Sequence, residues 1–495
     1  MRYDQLNAIS LIEDVKQHRT ITTLAKRNVD NPPLLLLIRW LLYAIAILSF
    51  TWPTYRAFLN IEIENNEGWN AYFADAAMGK MPLYPSPNRL ITNNYPPLSF
   101  YIVGSVGRLL GDPVLAGRLL SLVALVAIAT AIGLSVRRLG GTRVAGTISA
   151  AFFVAMMSRF FMPYVGMNEP QLLSEAIMAF GFLGFLVARS RDRGYVQPVI
   201  IMALAGFAKH NIIAMPLTAF LWLALNRRHE AVKCVCVGAI AIATGVAICY
   251  GLFGRDFFFN LLSPRHCSVK SALDSFADLQ WVSVGLIACV CNGWARRRDP
   301  NIRLCSCFTA IALGAFFLQK TGDGVGINAQ FDLIIAVAMG VGLAYTQISL
   351  WPVARHLSPT QAQAILLFAI SARLLVSGQL QPLRLLVDRS FRDQLELREQ
   401  AMAASVGRVR NTPGDVMCPM LISYRAGKPF AVDKFNTEQR ILGGTLPNDA
   451  ITARVAAGTL TIVEIDHRAR WSEKQKHFDS SPIATVQFPT QSKTL

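Results

Sequence analysis

Carboxylates, amides and aromatics crowd into Glu64-Asn-Asn-Glu67-Gly-Trp-Asn70, and Tyr95-Pro-Pro-Leu98 follows within about thirty residues. They come just after the first apolar run of membrane length, where a channel or scaffold has little use for them and an enzyme working at a membrane surface would place its first acid. Asn168-Glu169-Pro-Gln171 and Lys209-His210-Asn211 have the same character. Lys209 and His210 either cap a helix end or offer a point charge to a phosphate. Asn168, Gln171 and Glu175 are spaced to line one helical stripe, which carries Glu175 into the membrane; such polar groups face a cavity or a neighbouring helix rather than lipid. Asn328 and Asp332, one helical turn apart, put an amide and a carboxylate on one face, for a ligand or for packing. Jointly, these carboxylates and a cation describe a site at the lipid boundary for a substrate with a polar head and an apolar tail.

The elements that must position them are membrane helices. With 53% hydrophobic and only 16% charged residues over 495 positions, and a mean hydropathy of +0.37, the chain is too apolar for a soluble protein of this size. Apolar runs approaching about 20 residues recur from Leu34 to about Thr346, with a last candidate over 362–376. The fold class expected is an all-α polytopic membrane bundle of about ten or eleven transmembrane helices, with a small C-terminal soluble α/β domain. A net charge of +17 points to loop topology before it points to nucleic acid, and no nucleic-acid partner is expected. Residues 1–33 read as a polar cytoplasmic segment without a cleavage site, so that the first span stays as an anchor. Most of the nine cysteines fall in or beside apolar runs, where they pack as small hydrophobes, and none of the C-x-C pairs has the spacing of a zinc site.

With the N-terminus inside, the Arg clusters at 137–143, 189–193, 227–228, 296–303 and 355 all land on one side. The first loop, about 51–112, then lies outside, together with 167–171, 209–211 and 320–332. Within that loop Trp69, Tyr72, Phe73 and Ala76 follow an i, i+3, i+4, i+7 pattern, which predicts a short helix lying in the membrane interface with Glu67 at its start. Glu67 could equally serve only to stabilise that start. Glu169 is expected to cap the helix after Pro170. Residues 377–495 are polar enough to form an outer soluble domain, with strands over 416–424 and 459–465 and helices near 385–404 and 449–457.

The order of Asn66-Glu67-Gly68-Trp69, Tyr95-Pro96-Pro97-Leu98, Ala116-Gly117-Arg118-Leu119, Asn168-Glu169-Pro170-Gln171 and Lys209-His210-Asn211 resembles the GT-C superfamily of membrane glycosyltransferases, over roughly residues 34–350. That group includes the protein O-mannosyltransferases and the lipid A aminoarabinose transferases. The resemblance implies an inverting transfer of a sugar from a polyprenyl-phosphate carrier to a glycan, lipid or protein acceptor. It also implies an integral protein of a bacterial inner membrane with its site on the outer face. Glu67 matches the family's first-loop acid and is the first candidate for the group that activates or orients the acceptor, with Glu169 second. The family's usual Asp before it is Asn66 here, which leaves Glu67 to act alone or with Glu169. Lys209, helped by His210, would stabilise the departing phosphate. Asn66, Tyr95, Gln171, Asn328 and Asp332 complete the expected binding residues. No cofactor beyond the lipid-linked donor is implied, and a divalent metal finds no support in these residues. A lipid-linked sugar transporter and an inactive scaffold of the same fold are the alternatives, although no internal repeat is visible.

Overall fold

The computed structural model describes residues 33–376, 381–466 and 468; the expected inner segment 1–32 and the chain end lie outside the described residues. Among the described residues, seven helices are long and apolar enough to cross a membrane: Pro33–Arg56 (α1), Pro113–Arg138, Gln171–Arg191, Arg228–Phe253, Pro300–Lys320, Ile327–Leu350 and Pro359–Val376. An eighth span results if the bent pair Val269–Trp281 and Ser283–Ala295, at 87°, counts as one. This falls short of the ten or eleven expected. The difference lies in Arg143–Phe160, 18 residues with an arginine near each end, and in Val196–Ala208 and Ala214–Asn226, of 13 residues each. The two shorter helices reach only about 20 Å along their axes, against a hydrocarbon layer of about 30 Å.

In chain order, α2 is Asn66–Ala77, α3 Leu98–Leu110, α4 Pro113–Arg138, α5 Arg143–Phe160, α6 Gln171–Arg191, α7 Val196–Ala208 and α8 Ala214–Asn226. Helix α4 packs on α3, α5 and α6, while α6 packs on α7 and α5 on α1. Every residue from Phe331 to Tyr345 is buried, so this helix is the bundle's centre and, Asp332 apart, is apolar on all sides for that reason. Glu169 departs slightly from its expected role: the helix begins at Gln171 with Pro170 as its cap residue, yet the Glu169 carboxylate still accepts from the Gln171 amide at 2.7 Å.

Helix α2 forms where its pattern predicts, but its apolar stripe does not meet lipid. Trp69, Tyr72, Phe73 and Ala76 are buried against protein, from α3 and from the chain beyond residue 381. Tyr72 stacks on Phe430 with centroids 4.6 Å apart, and Trp69 donates to Asp433 at 2.9 Å. An amphipathic pattern fixes which face is buried and leaves open what covers it.

That covering region differs from the expected α/β domain in detail. Two helices, Gln381–Val387 and Arg389–Asn411, replace the single stretch expected there, and Ala450–Ala456 matches the other. The expected strand over 416–424 is only Asp415–Met417, paired in parallel with Leu460–Ile462. Pro419 breaks the run, and a short helix, Met420–Arg425, takes its second half. This helix lies so close to α2 that a Cβ at Gly68 would overlap the backbone of Met420 and Leu421. Gly68→Ala should therefore loosen the C-terminal region, costing about 1–3 kcal/mol. Limited proteolysis reads this as faster cleavage after residue 381, and unchanged cleavage would refute it. Cys267 and Cys418 are both free thiols.

Candidate active site

Glu67 lies at the first turn of α2 with no exposed surface, and its carboxylate is fully engaged. Oε1 accepts from Arg118 Nε at 2.7 Å and from the Asn168 amide at 3.2 Å, while Oε2 accepts from Arg118 Nη2 at 2.7 Å and from the Ile63 amide at 2.9 Å. A two-pronged guanidinium and two backbone donors fill the four lone-pair directions of a carboxylate. Arg118, from α4, also donates to the carbonyls of Leu59 and Ile61 and so staples the first loop to the bundle. The Ala116-Gly117-Arg118 motif has a steric reason as well: a Cβ at Gly117 would overlap the Asn168 side chain. Asn168 in turn donates to the Glu67 carbonyl and accepts from Asn70, which joins α2 to the loop before α6.

Beside this clamp, Lys209 at the C-terminal end of α7 forms a buried ion pair with Glu169 and sits 4.6 Å from the centre of the Tyr95 ring. Burial works against the ammonium charge, but Glu169 outweighs it and holds the Lys209 pKa above its usual value. His210 and Arg265 are exposed next to it, and Arg265 lies over the Phe435 ring at 5.4 Å. Arg265 has no carboxylate partner among the ion pairs of the described residues.

Glu64 is the titratable group that the sequence reading passed over. It is partly buried and accepts from the Asn66 amide at 2.8 Å. Its carboxyl is pushed up to about 7, chiefly by burial, with the charges of Glu62, Glu67 and Glu169 adding to the shift. Tyr164 reports the same neighbourhood, since its hydroxyl is raised well above the usual value first by burial and then by Glu64 and Glu169. Glu64, Glu169, Tyr95, Tyr164 and Lys209 therefore share one site.

The remaining expected residues divide. Gln171 donates to Glu175 at 3.0 Å and accepts from Asn328 at 3.3 Å, and Asn328 accepts from Tyr164 at 3.3 Å, which places both amides against the site. Asp332 lies deeper and accepts from the Ala214 amide at the start of α8, so it does not share a partner with Asn328. Asn328 sits in a short 3-10 turn, Ile327–Gln330, and Asp332 in the α-helix that follows, which breaks the single helical face that their spacing suggested. Glu175 and Asp332 each keep one buried carboxyl oxygen unpartnered among the described residues. Asn66 is exposed and meets Glu64 only through its backbone amide. No group of three or more His, Cys, Asp or Glu side chains among the described residues could hold a metal ion.

Residues 94–250 match the family model of dolichyl-phosphate-mannose-protein mannosyltransferases. No curated protein sequence matches the chain. Among solved structures, ArnT from Cupriavidus metallidurans bound to undecaprenyl phosphate superposes with a TM-score of 0.56, at 13% identity, over 87% of this chain and 96% of that one. The chain has the GT-C fold. A second GT-C structure, the oligosaccharyltransferase AglB from Archaeoglobus fulgidus in complex with an inhibitory peptide and a dolichol-phosphate, gives 0.50 at 12% identity over 83% of this chain and 65% of that one. The GT-C resemblance read from the ordered motifs is therefore correct, and the GT-C fold makes this chain an integral membrane protein. Arg118 and Glu64 both stand in or beside segments that carried the resemblance. Their signal was burial and pairing, which spacing does not encode.

Proposed function

We propose that this chain is an inverting glycosyltransferase that moves a sugar from a polyprenyl-phosphate carrier to an acceptor hydroxyl at the outer face of a bacterial inner membrane. The observation that carries the reading is that one site of a GT-C fold holds Glu64, pushed up to about 7, near Glu169, which forms a buried ion pair with Lys209. The topology supports the side. Glu67, Glu169, Lys209 and Asn328 lie at one end of the alternating helices, and Arg137, Arg138, Arg191, Arg228 and Arg296 lie at the other.

In this mechanism the acceptor oxygen attacks the anomeric carbon, Glu64 takes the hydroxyl proton, and the carrier phosphate departs with the bonding electron pair from the opposite face of the sugar. The configuration therefore inverts. A base poised near 7 is deprotonated often enough to act and still binds a proton readily. Lys209 faces the developing phosphate charge, with Arg265 and His210 at the rim, and Glu169 keeps Lys209 ionised and placed. Tyr95, Gln171 and Asn328 stand beside them, and the exposed Asn66 meets Glu64 through its backbone amide. Glu67 acts through Arg118 and Asn168, holding the loop that carries Glu64, so it is a positioning residue and not the base. Asp332 supports the start of α8.

Purified protein in nanodiscs, titrated with undecaprenyl phosphate, tests the donor side. Lys209→Met should weaken binding about 10- to 100-fold, the weight of one charge-assisted contact. Equal affinity would remove Lys209 from the phosphate site. Envelope glycans and lipid-linked sugars from cells lacking the chain test the reaction. An enzyme leaves a lipid-linked sugar accumulating and a glycan unmodified, whereas a transporter leaves the transfer intact once the lipid reaches the outer leaflet.

A further inference from the structure

Beyond Arg118, α4 runs on to Arg137, about 29 Å away at the rise of an α-helix. The chain then turns sharply through Gly140-Gly141 into α5. The turn is closed by the Gly141 amide on the Val136 carbonyl, and Thr142 caps α5 by accepting from the Ala145 amide. A cavity of about 420 Å³ opens there, lined by Leu134, Arg137, Arg138, Gly141 and Arg143. Three guanidinium groups contributed by two helices thus converge on one short stretch of chain. None of them enters a hydrogen bond or an ion pair among the described residues, whereas Arg189, Arg227 and Arg296 at the same end of the bundle bond to Asn301, Asp192 and Asp299 respectively. The N-terminal end of α5 adds its partial positive charge to the same cavity.

We propose that this cavity binds the phosphate of an anionic phospholipid. The orientation proposed above assigns it to the inner leaflet, while the cavity itself exists whichever way the chain faces. Guanidinium forks match phosphate oxygens in pairs, and no carboxylate competes for them. Leu134, 38% exposed at the wall of the cavity, gives an acyl chain an apolar surface directly beside the headgroup. A topology signal alone needs positive charge near the membrane. It does not need a concave site on which three guanidinium groups without a carboxylate partner converge.

The test uses the full chain in detergent and in nanodiscs. Native mass spectrometry with phosphatidylglycerol against phosphatidylcholine should show retained phosphatidylglycerol. Arg137→Gln with Arg143→Gln should weaken that retention by at least about tenfold. Arg137→Lys with Arg143→Lys, which keeps charge and insertion but loses the forks, should fall between the two. Arg193→Gln with Arg228→Gln removes the same charge from the same membrane face and should change little. A separate titration with inorganic phosphate decides the source: binding of the lipid without competition by millimolar phosphate supports the proposal, and full competition reassigns the cavity to a soluble phosphate. Equal loss in the Arg193 and Arg228 variant, or no loss in either glutamine variant, would overturn it. Sugar transfer is not the readout, so failure here is separable from failure of the proposed reaction.

Discussion

Glu64→Gln is expected to reduce sugar transfer about 10²- to 10⁴-fold, the usual weight of a general base, with binding of the lipid carrier kept. The amide fills the same space and still accepts from the Asn66 amide, so the loop is retained and only proton uptake is lost. The wild-type rate should rise with pH through about 7, where the carboxyl loses its proton, and the variant's residual rate should lose that limb. The stability effect has a defined sign. The folded carboxyl keeps its proton up to about 7 and the unfolded one only to about 4.5, so the folded state binds more protons between these values. Stability therefore falls as pH rises across that window, and Glu64→Gln should melt higher than wild type above neutral pH. A variant that keeps full turnover would dismiss Glu64 as the base, and the reaction would need another acid from the same loop.

Arg118→Met should be the most damaging single change to folding, costing about 3–5 kcal/mol because it leaves a buried carboxylate without its counter-charge. Five contacts go at once: both prongs on Glu67 and the donations to the carbonyls of Ala57, Leu59 and Ile61. Thermal unfolding in detergent measures this, and a change below about 1 kcal/mol would show that the first loop is held by other means. Glu67→Gln should behave similarly but less severely, since the amide can still accept from Arg118. The two changes share one interaction and should be far from additive in a double-mutant cycle. If Glu67 were the base instead, Glu67→Gln would abolish transfer with unfolding unchanged, which is a cleanly different outcome.

The contrast between Glu64 and Glu67 marks what was legible in advance. Both stand in one heptapeptide, and the helix start at Asn66 was readable from the pattern after Gly68. The family resemblance favoured Glu67, while its place at a helix start, where the dipole favours an acid, also fitted a purely structural role. Arg118 is 51 residues away, and nothing local says that its guanidinium turns inward to occupy that carboxylate. The fate of Trp69 and Tyr72 is parallel. Their stripe was evident, whereas their cover, Asp433 and Phe430, comes from the far end of the chain. Lys209 and Glu169 were both selected by type and position, and their pairing with each other was not.

The sequence by itself determined the membrane class, the alternation of helices, the clustering of arginines at one end, and the ordered motifs that point to the GT-C fold. These follow from hydropathy, charge and short-range spacing, which are local and additive along the chain. Only the tertiary structure decided which carboxylate is locked and which is left to titrate. Desolvation and pairing depend on what distant segments bring within a few ångströms, and they shift a carboxyl group's proton affinity far more than its place in the sequence does.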